Sequence, residues 1–168
     1  TFQEREGDVT TNAAAIMARL QPAPSEGAIE LTRNDLDTVA LQLAGVMDPV
    51  HGGPKGAPKF PNTPLLEFLW RAGDRTGDPR FNHIFLNTLD RISQGGMYDH
   101  IGGGYARYSV DELWLVPHFE KMLYDNAQLI RHATYAYAQT LDELFRIRIE
   151  ETIGWLQREM VIDGRFAS

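Results

Sequence analysis

Between Gln94 and Asn126 the helical periodicity of this chain stops, and QGGMYDHIGGGYARYSVDELWLVPHFEKMLYDN takes its place. A connection between packed helices needs only ~2–8 residues, so an insert of this length in a compact domain is either functional or disordered. It holds five of the fifteen glycines, two of the five histidines and four of the six tyrosines. A segment so rich in aromatic rings is not a disordered one. The rest of the chain must therefore fold around an ordered, elaborate loop.

On both sides of it the apolar residues recur at helical spacing. Val9, Ala13, Ile16, Met17 and Leu20 predict a helix over 8–20. Pro22 and Pro24 stop it, so residues 1–30 read as a linker helix and a proline-containing connector. Residues 31–168 read as a second region. Thr32 with Asp35 opens a helix carrying Leu36, Val39, Ala40, Leu43 and Met47, which ends before Asp48-Pro49. Residues 49–62 hold four prolines and three glycines and form a loop. Thr63-Pro64 starts a helix over about 64–73, closed by Gly73 and Gly77, and Asp78-Pro79 repeats the start signal for a helix reaching about Ser93.

After the central stretch, Pro117 predicts the start of a long helix ending near Gln139. A last helix runs over about 141–160, with Leu144, Phe145, Ile149, Thr152, Ile153 and Leu156 inward. Asp163-Gly164 then makes a turn and begins an extended segment. With no βαβ alternation, the class is all-α. Helix pairs of this size, stacked side by side, suggest an αα-toroid or solenoid.

A net charge of −7 with no strongly basic window argues against nucleic acid and anionic membrane as partners. No apolar run reaches the ~18–20 residues of a membrane span and no signal peptide is visible, so a cytoplasmic location is expected. The absence of cysteine excludes disulfides, thiolate zinc sites and cysteine nucleophiles. The 52–59 loop GGPKGAPK lacks the P-loop pattern, His51-Gly52-Gly53 has no G-x-S-x-G partner, and H-E-x-x-H is missing. No metal and no cofactor are expected.

What remains is a constellation. Pro117 at a helix start would put Glu120 in the first turn, where the macrodipole favours a carboxylate. His118, Lys121, Asp125, Gln128 and His132 would share one helix face, and a solvated polar face is the plain alternative. Before them, Tyr98, Asp99, His100, Tyr105, Arg107, Tyr108, Asp111 and Trp114 combine flat rings with hydrogen-bonding groups. Sugar sites need that mixture: rings for C–H faces, carboxylates and arginine for hydroxyls. The same rings would also serve simply to plug the loop onto helix ends. Glycoside chemistry needs two carboxyl groups ~5–5.5 or ~6.5–9.5 Å apart, and Asp99, Asp111 and Glu120 are available. His118 and His100 are alternative proton carriers.

Three stretches carry a family resemblance: GGPKGAPKFP (52–61), GGMYDHIGGGYARYSVDELWLVPHFEKMLYDNAQL (95–129) and DGRFAS (163–168). They resemble the thioredoxin-domain-containing proteins of the spermatogenesis-associated/YyaL type. The resemblance implies a thioredoxin-like domain followed by an (α/α)6 toroid similar to N-acylglucosamine 2-epimerases and six-hairpin glycosidases. On that reading the 168 residues are a fragment, a linker helix plus about two of six helical hairpins, with the redox domain absent. Such a fragment would pack against the remainder of its toroid and a thioredoxin-like domain, or self-associate.

Two functions follow as expectations. In the first, the 49–62 and 95–121 loops wall a cavity that handles a small sugar ligand by acid–base chemistry. Glu120 and His118 transfer protons, Asp99 and His100 are alternates, and Tyr98, Arg107, Trp114, Lys59, Phe60 and Asp111 bind substrate. In the second, the region is a non-catalytic scaffold or ligand-binding module partnering a thioredoxin-like redox domain.

Overall fold

The computed structural model describes residues 6–20 and 30–167; most of the predicted connector, residues 21–29, lies outside the described residues. Two compact units divide at Thr32/Arg33. The first contains one described helix, α1 (Glu6–Leu20), which begins two residues before the predicted start.

The second unit contains α2 (Arg33–Val46), α3 (Thr63–Thr76), α4 (Pro79–Gln94), α5 (Leu123–Thr140) and α6 (Glu143–Glu159). A small antiparallel pair follows, β1 (Val161–Ile162) and β2 (Arg165–Phe166). The fold is all-α. Only Gly77 and Asp78 join α3 to α4, and only Leu141 and Asp142 join α5 to α6. Connections this short make each pair a hairpin. The two hairpins pack on each other through α3, α4 and α5, and α2 lies on α3.

The hairpin turns follow local chemistry. Gly77 takes the left-handed conformation (φ 73°) and donates its N–H to Gly73, the usual way a helix stops. Asp78 and Asp142 each cap the next helix by accepting the N–H two residues on. Gly73 does not end α3. A Cβ there would lie 2.4 Å from Asn82 Oδ1 of α4, so this glycine permits close helix contact.

Leu66, Leu69 and Ala72 of α3 meet Phe81, Phe85, Leu89 and Ile92 of α4, with Leu129, Ala133 and Ala136 of α5 and Phe145 of α6. Each large side chain so buried contributes about 1.5–3 kcal/mol. Trp70 and Tyr135 stack at 4.5 Å where α3 meets α5. The predicted α2 stripe is only half buried: Ala40 and, just past the helix end, Met47 are inside, while Leu36 and Val39 are exposed. In α6, Trp155 rather than Ile153 turns inward. No helix among the described residues is long and apolar enough to cross a membrane.

The largest correction concerns Pro117, which does not start a helix. The N–H groups of Arg107, His118 and Val110 donate to the carbonyls of Glu120, Tyr108 and Val116. Segments 107–110 and 116–120 therefore pair as an irregular hairpin, and Lys59 joins its other edge by exchanging both backbone bonds with Ser109. Proline suits the edge of an extended segment as well as a first helical turn, and the pairing decides between them. Helix α5 starts only at Leu123. Glu120 is consequently outside the helix, and the first-turn carboxylate is Asp125.

Candidate functional site

The site is built on a frame that ties the proline-rich loop to the central stretch. Lys59 is buried, and its ammonium donates to Asp48 Oδ2 and to the Glu112 carbonyl, both at 2.9 Å. It also lies 5.2 Å from the centre of the Trp114 ring. Burial works upward on the Asp48 carboxyl, but the N–H groups of His51 and Val50 and the Lys59 ammonium outweigh it and hold it at about 2. Trp114 is fully buried, with its indole N–H on the His51 carbonyl.

Asp111 closes the tip of the paired segments. Its carboxylate accepts from the N–H groups of Leu113, Leu115 and Val116 and from the Ser109 hydroxyl. Those donors overcome burial and hold its carboxyl below the ordinary range. Lys59, Trp114 and Asp111 were expected to bind substrate. Their polar atoms are instead engaged by the protein itself, because each bridges loop segments that lack regular secondary structure to satisfy them.

The other predicted residues divide between two cavities. The first, about 260 Å³, lies between residues 60–64, where the proline-rich loop enters α3, and the start of α5, and is lined by Phe60, Asn62, Arg107, Tyr124, Asp125 and Gln128, among others. Phe60 stacks on Tyr108 at 4.6 Å, and Tyr108 stacks on His118 at 4.6 Å. Arg107 contacts Glu120 at 3.3 Å, and His118 Nδ1 is 3.7 Å from the same carboxylate oxygen. Glu120 and His118 do not line this cavity; they are half exposed and are linked to its lining through Arg107 and the ring stack.

The second cavity, about 560 Å³, is lined by Tyr98, Asp99, His100, Ile101, Phe119 and Lys121 together with Met97, Ala106 and Pro117. Its polar groups are already partnered. Asp99 accepts from the N–H groups of Gly102 and Ile101 and from Lys121, which holds its carboxyl at about 2. The Tyr98 hydroxyl donates to Glu151 at 2.6 Å. Burial, with Glu151 beside it, pushes this phenol up. His100 Nε2 lies 3.0 Å from the Gly95 carbonyl, and its Nδ1 faces Arg148. Arg148 in turn covers the Tyr98 ring, 4.1 Å from its centre. Asp99 is thereby kept ionised, a poor proton donor at neutral pH.

Asp125 was not among the predicted catalytic or binding residues. It lines the first cavity, and its Oδ2 is buried without a protein partner. Burial pushes its carboxyl up; Arg107 opposes this and Glu120 adds to it. The signal in the sequence was the position of Asp125 on a polar face beside Gln128, but its exposure could not be read there. Asn126 was missed as well. It is fully buried, accepts from the Tyr105 N–H at 2.7 Å and donates to the carbonyls of Tyr105 and Met122, each at 3.0 Å. No cluster of three or more metal-ligating side chains occurs among the described residues.

No family model matches the chain. It is 37% identical over 150 residues to spermatogenesis-associated protein 20 of Mus musculus, covering 86% of this chain and 19% of that protein. It is 44% identical over 108 residues to spermatogenesis-associated protein 20 of Homo sapiens, covering 62% of this chain and 14% of that protein. An uncharacterized protein of Caenorhabditis elegans is 33% identical over 175 residues, covering 99% of this chain and 24% of that one. The chain is therefore related to spermatogenesis-associated protein 20, and it spans about a fifth of the length of the relatives it matches.

Proposed function

We propose that this helical unit binds a carbohydrate in the cavity between the 60–64 loop and α5, as part of a six-hairpin glycosidase- or epimerase-like domain. The observation that carries the reading is the lining of that cavity. Phe60 and Tyr124 offer ring faces, while Arg107, Asp125, Gln128 and Asn62 offer donors and acceptors. A sugar presents apolar C–H faces and a rim of hydroxyls, and this lining answers both. At about 260 Å³ the cavity is just smaller than the ~300–1,000 Å³ of most small-molecule pockets, which limits a ligand to about one sugar ring. Glu120 and His118, the expected proton carriers, contact Arg107 and Tyr108 and do not line the cavity, so what is proposed is binding; acid–base work by them would need the sugar to reach past this wall.

The test is a saccharide screen on the chain by chemical-shift perturbation, repeated with Phe60→Ala and Arg107→Ala. Perturbation at the 60–64 loop and the start of α5, weakened about tenfold by either substitution, is the expected result. Binding indifferent to both would remove the cavity from consideration.

The scaffold reading also has an observation behind it. Lys59, Asp111 and Trp114, candidates for substrate contact, and Asp99, a candidate for proton transfer, are held by the protein's own groups. Should no saccharide perturb the spectrum, a non-catalytic module partnering a thioredoxin-like domain is the reading left.

A further inference from the structure

The first cavity has more hydrogen-bond donors than the protein uses. Arg107 is the one cation among its described lining residues, and Nη1 alone is engaged, by the Glu120 carboxylate at 3.3 Å. Its Nε and Nη2 have no hydrogen-bond partner among the described residues. Gln128 is divided in the same way: its amide oxygen accepts from the Thr63 hydroxyl, while its Nε2 has no partner among the described residues. Asn62 adds a second amide to the wall, and its side chain makes no capping bond to α3. The acceptors are less available. The Gln128 oxygen is taken, Asp125 Oδ2 is shielded from solvent, and Glu120 does not line the cavity. A wall of this kind suits a ligand that brings acceptors of its own.

We propose that the ligand is a sugar acid, a single ring bearing a carboxylate, with that carboxylate on the Nε–Nη2 edge of Arg107 and within reach of the Gln128 amino group. This assignment rests on the carbohydrate reading above and narrows it to one substrate class. A carboxylate presents two coplanar oxygens, which match the parallel N–H groups of a guanidinium edge and give a paired, charge-assisted contact. Phe60 supplies a ring face for the sugar. One guanidinium, shared with Glu120, favours a monoanion over a phosphate dianion. Asp125 and Glu120 are the acidic neighbours of Arg107, and Tyr124 is the remaining titratable group beside it. The two carboxyl groups limit the gain in affinity. Glu120 is half exposed, so solvent and salt weaken its opposition.

The experiment titrates the intact chain, at neutral pH and low ionic strength, with D-glucose, D-galactose and their uronates, and with D-glucose 6-phosphate and acetate alongside. The wild type is compared with Arg107→Lys and Gln128→Glu, each checked for an unchanged amide fingerprint. At least one uronate should bind about tenfold more tightly than its neutral parent, and the gap should narrow as salt is added. Arg107→Lys keeps the charge but loses the paired edge, and should lower uronate affinity about tenfold. Gln128→Glu keeps an oxygen for Thr63 and turns the donor into an anionic acceptor, so the preference for the uronate should vanish or reverse. If neither uronate outbinds its neutral parent, the substrate class is overturned and the carbohydrate reading stands. Binding of glucose 6-phosphate or acetate as tight as that of the uronates overturns it too, the first in favour of a dianion, the second in favour of an indiscriminate anion site. A uronate preference that survives both substitutions places the carboxylate away from Arg107 and Gln128 and overturns the assignment. No binding by any of the four sugars overturns the carbohydrate reading together with this one.

Discussion

The indole N–H of Trp114 donates to the carbonyl of His51 at 2.8 Å, which fastens the central loop to the proline-rich loop 63 positions earlier. Gly53 completes the joint. Its φ is +67°, and a Cβ there would lie 2.4 Å from Cζ2 of the Trp114 ring.

Both partners should therefore be intolerant of change. Trp114→Phe removes the hydrogen bond and leaves unfilled volume, for an expected loss of about 2–4 kcal/mol. Gly53→Ala adds strain at a left-handed backbone and a clash, for at least about 2 kcal/mol. Urea unfolding at constant m-value measures both. Losses under about 0.5 kcal/mol would mean that the two loops are not joined through this contact.

The Lys59–Asp48 pair gives a sharper contrast. Lys59→Met strands the Asp48 carboxylate beside an apolar side chain, at an expected cost of about 3 kcal/mol. Lys59→Met combined with Asp48→Asn should recover part of that, since the stranded, largely covered carboxylate disappears and the amide oxygen still accepts from Val50 or His51. The sign of the pH effect follows from Asp48. Its carboxyl is held at about 2 in the folded chain against an ordinary 3.8, so its contribution is full above 3.8 and is lost as pH falls toward 2. A double variant no more stable than Lys59→Met alone would contradict this account.

His132 should make the fold less stable in mild acid. The ring is fully buried, packs against Phe85, and has Nε2 3.5 Å from Glu67, whose carboxylate also serves Arg71 and Arg131. Burial pushes the imidazole below its ordinary 6.5, against the pull of Glu67. Below 6.5 the unfolded chain takes up a proton that the folded one refuses, so stability declines as pH falls from 6.5 toward the lower folded value. Urea midpoints between pH 7 and 5 should show the decline, and His132→Leu should remove part of it. An unchanged slope in that variant would assign the pH dependence elsewhere.

Asn126 is the cheapest test of how the central loop is anchored to α5. Asn126→Ala leaves both the N–H and the carbonyl of Tyr105 without their partner, an expected loss of about 2–4 kcal/mol. Asn126→Asp keeps the acceptor but faces the Tyr105 carbonyl with a carboxylate oxygen, and should be no better than the alanine. Fast amide exchange at Tyr105 in both variants, with α5 still protected, is the specific signature; a Tyr105 amide that stays protected would rule this anchor out.

The helices were legible because their signals are local. Asp78-Pro79, the Gly77 stop, the apolar spacing of α4 and the Asp163-Gly164 turn each involve residues within about one helical turn, and the structure follows them closely. The central stretch was legible as ordered and unusual, since no short connection needs so many rings and glycines. Which of its polar residues face a cavity was not legible. Asp99 and Glu120 are both carboxylates in the same stretch, yet one is saturated by Gly102, Ile101 and Lys121, while the other touches Arg107 and His118.

The sequence by itself determined an all-α chain with two tightly joined hairpins and one elaborate loop, because periodicity, caps and turns act between near neighbours. Tertiary structure alone decided that Pro117 lies in an extended pair rather than at a helix start, and that Lys59 and Trp114 are inside. It also separated Asp99 from Arg107 into different cavities and brought Asp125 forward. The physical reason is the same in each case. Lys59, Arg107, Trp114 and Asp99 are bonded to groups 13 to 63 positions away, Asp125 Oδ2 meets no partner at all, and no local spacing records which partner arrives.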